Sequence, residues 1–145
     1  MKKKLVFFIS EDWVFISHRL HLGKFALEEN YEVTVVCNIS EFSTVIENSG
    51  IKLVDWRIDR GGENPIVILK NLWRTFKILK NESPDLVMTV SLKPILLVGV
   101  AQFFVGNLKN IFCITGLGSI FTSANLKYKL LQKIVCILLR LFLKI

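Results

Sequence analysis

The sequence predicts an α/β domain: a Rossmann-like, doubly wound parallel sheet of about five strands in the order 3-2-1-4-5, with a basic amphipathic helix at its C-terminal end. Three observations predict it. Runs rich in Val, Ile and Phe alternate five times with helical segments. No hairpin signal separates any two of those runs, so each connection is a crossover. The first run, residues 5–10, is continuously apolar, which suits a strand buried on both faces.

The elements follow in order. A polar corner at residues 10–12 leads into a helix over 16–29 that breaks near Asn30. Residues 32–37 are β-branched and form the second strand. A short helix over 42–48 stops at Ser49-Gly50, a common helix end, and 51–56 is the third strand. Residues 57–64 are a polar loop with paired glycines, after which Pro65 suits the first turn of a new helix. There Leu69, Leu72, Phe76 and Leu79 form an apolar stripe expected to face the core, with Lys70, Arg74, Lys77 and Asn81 turned away. Ser83-Pro84 ends that helix. Residues 85–90 are the fourth strand, 94–105 an apolar helix and 110–115 the fifth strand, closed by the corner Gly116-Leu117-Gly118. Residues 126–145 are the final helix. Residues 1–124 therefore read as one domain and 125–145 as a helix appended to it.

Composition narrows the function classes. With 145 residues and 52% hydrophobic side chains, the chain has ample apolar surface for a core and is not disordered. Its net charge of +7 favours an anionic partner: nucleic acid, a membrane surface or a phosphorylated substrate. The basic residues are not interleaved with exposed aromatics on one stripe, which argues against nucleic acid. Cys37, Cys113 and Cys136 lie far apart in apolar runs, the usage of buried thiols in a reducing compartment, and no metal-ligand spacing occurs. Lys2, Lys3 and Lys4 precede an apolar run too short for a secretory signal. A cytoplasmic protein that starts on its first strand is expected.

Ligands of such sheets bind at the carboxyl ends of the strands, where the strand order reverses. The first corner there holds no glycine, so a dinucleotide pyrophosphate is not expected against its backbone. It carries Glu11, Asp12, Trp13, His18 and Arg19 instead. Such groups can hydrogen-bond a polar ligand, stack on a sugar ring or neutralise phosphate; equally, Asp12 or Ser17 can simply cap a helix beside solvated acids. His18 and His21 are three apart without a carboxylate on their face, a weak metal pattern; His18 suits proton transfer or hydrogen bonding better. Lys93 follows the fourth strand, either as an ordinary surface lysine or as an ammonium at the ligand edge. Glu11, His18 and Lys93 are expected to line one pocket there. In the last helix, Lys129, Lys133, Arg140 and Lys144 share one sector. Lys133 and Arg140 interrupt the apolar run, which fits a helix lying on anionic lipid or one packed against a further domain, rather than a spanning one.

At this point a resemblance emerges. Ser10-Glu11-Asp12-Trp13 with Ser17-His18-Arg19-Leu20, followed by Tyr31-Glu32-Val33, resembles the opening of family 4 glycosyltransferases. The subgroup concerned acts in bacterial O-antigen, capsule and lipid-linked oligosaccharide assembly. The likeness continues through Arg60-Gly61-Gly62, Asn64-Pro65, Pro84-Asp85-Leu86-Val87, Lys93-Pro94 and Thr115-Gly116-Leu117-Gly118 with Phe121-Thr122. The resemblance implies half of a GT-B fold, whose N-terminal domain binds an acceptor, often a polyprenyl-diphosphate-linked saccharide, at the inner face of the cell membrane. A C-terminal domain with paired glutamates, absent from these residues, would bind the nucleotide sugar as donor. Transfer would retain anomeric configuration, with no metal and no cofactor in this chain. On this basis Glu11, Asp12, Trp13, His18, Arg19, Arg60, Asn64, Lys93, Thr115, Gly116 and Gly118 are the expected acceptor contacts. His21 stands where the subgroup commonly has Pro. Thr115-Gly116 stands where related mannosyltransferases have a histidine, so no catalytic residue is assigned. Half an inter-domain cleft is expected to be inactive alone. The alternatives are a membrane-docked acceptor subunit of a split transferase, or a non-enzymatic Rossmann-like remnant.

Overall fold

The computed structural model describes residues 2–58, 64–106, 108–116 and 126–143. Its strands are β1 (Lys4–Glu11), β2 (Glu32–Asn38), β3 (Lys52–Asp55), β4 (Leu86–Val90) and β5 (Lys109–Cys113). Its helices are α1 (Asp12–His18), α2 (Leu20–Glu28), α3 (Ser43–Glu47), α4 (Pro65–Glu82), α5 (Leu92–Val105) and α6 (Leu126–Leu143). The sheet order is β3-β2-β1-β4-β5 and every pair is parallel, as the alternation of runs predicted.

The alternating side chains of the central strands divide the core in two. Phe7 and Ile9 of β1 pack with Phe15, Ala26 and Ile46 beneath α1, α2 and α3. Val6 and Phe8 pack with Trp56, Leu79, Leu97 and Val98 beneath α4 and α5. Each half is seeded by an edge-on aromatic pair. Phe7 meets Phe15 at 5.2 Å and Phe8 meets Trp56 at 5.1 Å.

Two expectations are corrected. The first helix begins at Asp12, not residue 16, and is broken at Arg19, whose φ of −136° and ψ of −8° leave the helical well. The early start is set by the Asp12 carboxylate, which accepts from its neighbour Trp13 N at 2.7 Å and from Ser40 across the corner. The second correction concerns α4. Its buried residues are Asn71, Thr75 and Leu79, while Leu69 lies exposed. Leu72, Phe76 and Leu79 of the stripe do pack on the core. The core side is rotated past Leu69 towards Thr75, whose Oγ1 accepts from the buried Trp56 indole N–H at 3.0 Å. Thr75 in turn donates to Asn71 O at 2.8 Å.

Helix ends follow local rules. Asn64 caps α4 by accepting from Ile66 N, with Pro65 in the first turn. Ser83 ends it in the left-handed region at φ 46°. The final helix α6 packs on α5: Phe142 lies against Gly99, where any Cβ would overlap its ring, and lies within 6.0 Å of Phe103.

Candidate functional site at the carboxyl edge

The carboxyl ends of β1, β2 and β3 are laced together by two side chains. Asn38, the last residue of β2, donates from Nδ2 to Glu11 Oε1 at 3.0 Å and to Ile58 O at 3.2 Å, and accepts from Ile58 N at 2.8 Å. Asp12 is fully buried and accepts from Ser40 N at 2.6 Å and Ser40 Oγ at 2.8 Å. Backbone and hydroxyl donors thus compensate the burial of this carboxylate. The Cys37 thiol sits between these groups. Burial, then the charges of Asp12, Glu11 and Asp55, push its pKa up to about 12. It is therefore a protonated packing group and not a nucleophile.

The other side of the edge is built from β4 and β5. Ser91 joins β4 to α5 with φ 79° and ψ 153°, a conformation that costs a non-glycine residue about 1–3 kcal/mol. Ser91 N donates to Cys113 O at 3.1 Å, and Ser91 Oγ lies 3.2 Å from Thr115 Oγ1. These bonds hold the strained link. They also set the start of α5, with Lys93 and no acid in its first turn, facing the strand ends with the positive end of its dipole.

The predicted contacts fall into several groups. Glu11 is tied to Asn38. Asp12 holds the β2–α3 connection. Trp13 beside it is exposed, and its carbonyl accepts from Ser17 Oγ. His18 is exposed at the far end of α1. Arg19 sits at the helix break, with one guanidinium nitrogen donating to His18 O at 2.9 Å and Nε buried without a partner. Asn64 caps α4. Thr115 and Gly116 are exposed beyond β5. Arg60, Gly118 and Lys144 lie outside the described residues. A concavity of about 590 Å³ opens at the ends of β2 and β3, lined by Asn38, Ile39, Asp55, Arg57 and Ile58. Glu11, His18 and Lys93 are not in its lining; Glu11 is tied to it through Asn38. Asn38 and Asp55 are the lining residues not expected from the sequence, although Asn38 is a polar residue ending the buried run of β2, the signal that marks this edge. Asp55 accepts from Arg57 Nε at 2.5 Å. Among the described residues no group of His, Cys, Asp and Glu is placed to hold a metal ion.

Residues 4–145 match the model of the glycosyl transferase 4-like family. The chain belongs to that family. It is 25% identical over 138 residues to the N,N'-diacetylbacillosaminyl-diphospho-undecaprenol alpha-1,3-N-acetylgalactosaminyltransferase of Campylobacter jejuni. That alignment covers 94% of this chain and 37% of the relative, so the chain spans little more than a third of the relative's length. Its fold is similar to that of a Rickettsia africae glycosyltransferase, with a TM-score of 0.62 and 18% identity over 77% of this chain and 29% of that one. It is also similar to MurG of Acinetobacter baumannii, with a TM-score of 0.61 and 15% identity over 76% and 34% of the two chains. The family 4 chain is thus one Rossmann-like domain of the GT-B kind. A putative UDP-N-acetylglucosamine 2-epimerase of Listeria monocytogenes shares the fold with a TM-score of 0.55 at 22% identity, over 77% of this chain and 30% of that one. Fold alone therefore does not choose the reaction.

Proposed function

We propose that this chain is the acceptor-side half of a retaining GT-B glycosyltransferase. It presents a lipid-linked saccharide to a nucleotide sugar held by a second Rossmann-like half, supplied by sequence outside these 145 residues, in the same chain or a separate one. The observation that carries the reading is the family match over residues 4–145. The polar carboxyl edge agrees with it, and the Campylobacter relative, named for a diphospho-undecaprenol-linked substrate, supports the acceptor class.

The residues suggest how the edge works. Asp12 and Asn38 are positioning residues that fix the corner. The exposed Trp13 indole offers a face on which a sugar ring can stack. Lys93 and the start of α5 offer positive charge to an acceptor diphosphate. Transfer needs donor and acceptor held together in one cleft, so one wall alone is inactive. No metal and no cofactor in this chain take part. No described helix is long and apolar enough to cross a membrane. The protein instead meets the inner face of the cell membrane peripherally, with Lys129, Lys133 and Arg140, all exposed on α6, contributing positive charge.

The experiment is a transfer assay with the donor-binding half present, using labelled nucleotide sugars and an undecaprenyl-diphosphate-linked saccharide. Trp13→Ala and Lys93→Ala should each lower kcat/KM about tenfold, the scale of one lost stacking or charge contact. Unchanged transfer by both variants would overturn the site.

A further inference from the structure

The concavity at the ends of β2 and β3 lies to one side of the β1–β4 reversal in strand order. Its polar groups are fixed by the fold itself. Asn38 is pinned by Glu11 and by both backbone groups of Ile58. Arg57 stands in the left-handed region at φ 42°, a conformation that non-glycine residues adopt rarely and that clusters at ligand sites. Arg74 of α4 holds this turn, donating from Nη1 to Trp56 O at 3.1 Å and to Arg57 O at 3.3 Å.

Two side chains in this frame keep bonding capacity. Arg57 pairs with Asp55 through Nε, so its terminal guanidinium nitrogens still have N–H donors to offer. Its side chain is 80% exposed. The Asp55 side chain is 32% exposed. Its Oδ2 accepts from Arg57, while Oδ1 is buried without a partner, which leaves the carboxylate short of donors. Ile39, itself exposed, adds an apolar wall. The volume of about 590 Å³ lies within the roughly 300–1,000 Å³ of small-molecule pockets.

Charge narrows the ligand. Glu11, Asp12 and Asp55 gather at these strand ends, and after burial their charges are what raises the Cys37 thiol. The lining itself holds one cation, Arg57, and it is already paired with Asp55. A phosphate would therefore meet carboxylates of its own sign. A neutral ligand that donates and accepts side by side meets no such opposition. Adjacent hydroxyls of a sugar ring do this: one donates to Asp55, the next accepts from Arg57, and a C–H face of the ring lies on Ile39.

We propose that this concavity is a saccharide subsite, which takes an uncharged sugar ring of the acceptor through two adjacent hydroxyls. The inference rests on the acceptor reading above and extends it. On that reading the diphosphate lies at the start of α5. Rings farther from it pass Trp13 and reach Asp55 and Arg57, so the acceptor carries more than one sugar.

The test is a magnetic-resonance titration of the full 145-residue chain, nitrogen-labelled, with methyl glycosides of glucose, galactose, mannose, rhamnose, N-acetylglucosamine and N-acetylgalactosamine. At least one should move the Arg57 Nε–H and Asn38 side-chain amide signals saturably. Asp55→Asn and Arg57→Gln should each weaken that binding at least about tenfold, read on the Asn38 amide. The exposed Arg57 gives a variant that keeps the fold if Asp55→Asn does not. Uridine diphosphate and inorganic pyrophosphate should leave both signals in place. No shift with any glycoside, a shift that both substitutions leave unchanged, or equal binding of uridine diphosphate or pyrophosphate there would overturn the proposal. The Trp13 indole signal separates the two readings. A glycoside that moves it without moving Arg57 would sink the subsite and leave the transferase reading standing.

Discussion

Trp56 Nε1 donates to Thr75 Oγ1 across 3.0 Å, with both side chains fully buried. That bond fixes the rotation of α4 about its own axis. It explains why a helix with leucines in its sequence stripe turns Leu69 to solvent. Thr75→Val should leave the indole N–H buried and unpaired and destabilise the fold by about 1–3 kcal/mol. Thr75→Ser should recover most of that loss. Urea unfolding of the three proteins measures both effects.

Gly23 of α2 sits where a Cβ would come within 2.9 Å of both Phe15 and Ile51. Phe15 is fully buried against Phe7 and has little room to move. Gly23→Ala should therefore cost about 1–3 kcal/mol, despite alanine's better helix propensity, and a lowered thermal midpoint would show it.

The Cys37 thiol ionises near 12 in the folded chain against 9.0 ordinarily. Below pH 9 both states hold the proton and stability is unaffected. Between 9 and 12 the unfolded state loses the proton first, so stability falls with rising pH by up to about 1.4 kcal/mol per pH unit. Compared across that window, Cys37→Ala should lack this component of the fall. Iodoacetamide at neutral pH should label the exposed Cys136 and spare Cys37.

Asp12 and Trp13 are neighbours with separable roles. Asp12→Ala should free Ser40 and destabilise the domain by about 2 kcal/mol. Trp13→Ala should change stability by less than about 0.5 kcal/mol and weaken acceptor binding. Denaturation and binding, measured on the same two variants, separate a corner tie from a ligand contact.

These cases show where the sequence is informative. The five strands were legible because continuous β-branched runs such as 32–37 can be little else. The rotation of α4 was not, since it depends on Trp56, a residue 19 positions from Thr75 with an indole that needs an acceptor. The start of α1 is not legible for the same reason, as Asp12 finds Ser40 28 positions away. At the site, Glu11, Asp12 and Trp13 were conspicuous as a polar corner. Asn38 gave no local sign of linking the corner to Ile58, because its partners converge only once the strands pair.

On the proposed function, this chain binds the acceptor and not the donor. Equilibrium binding to the chain alone, comparing a detergent-solubilised undecaprenyl-diphosphate-linked saccharide with nucleotide sugars, tests it most directly. The account predicts saturable binding of the lipid-linked saccharide, weakened by Trp13→Ala, and no comparable binding of any nucleotide sugar. Nucleotide-sugar binding as tight as the acceptor's, or no acceptor binding by the folded chain, would contradict it.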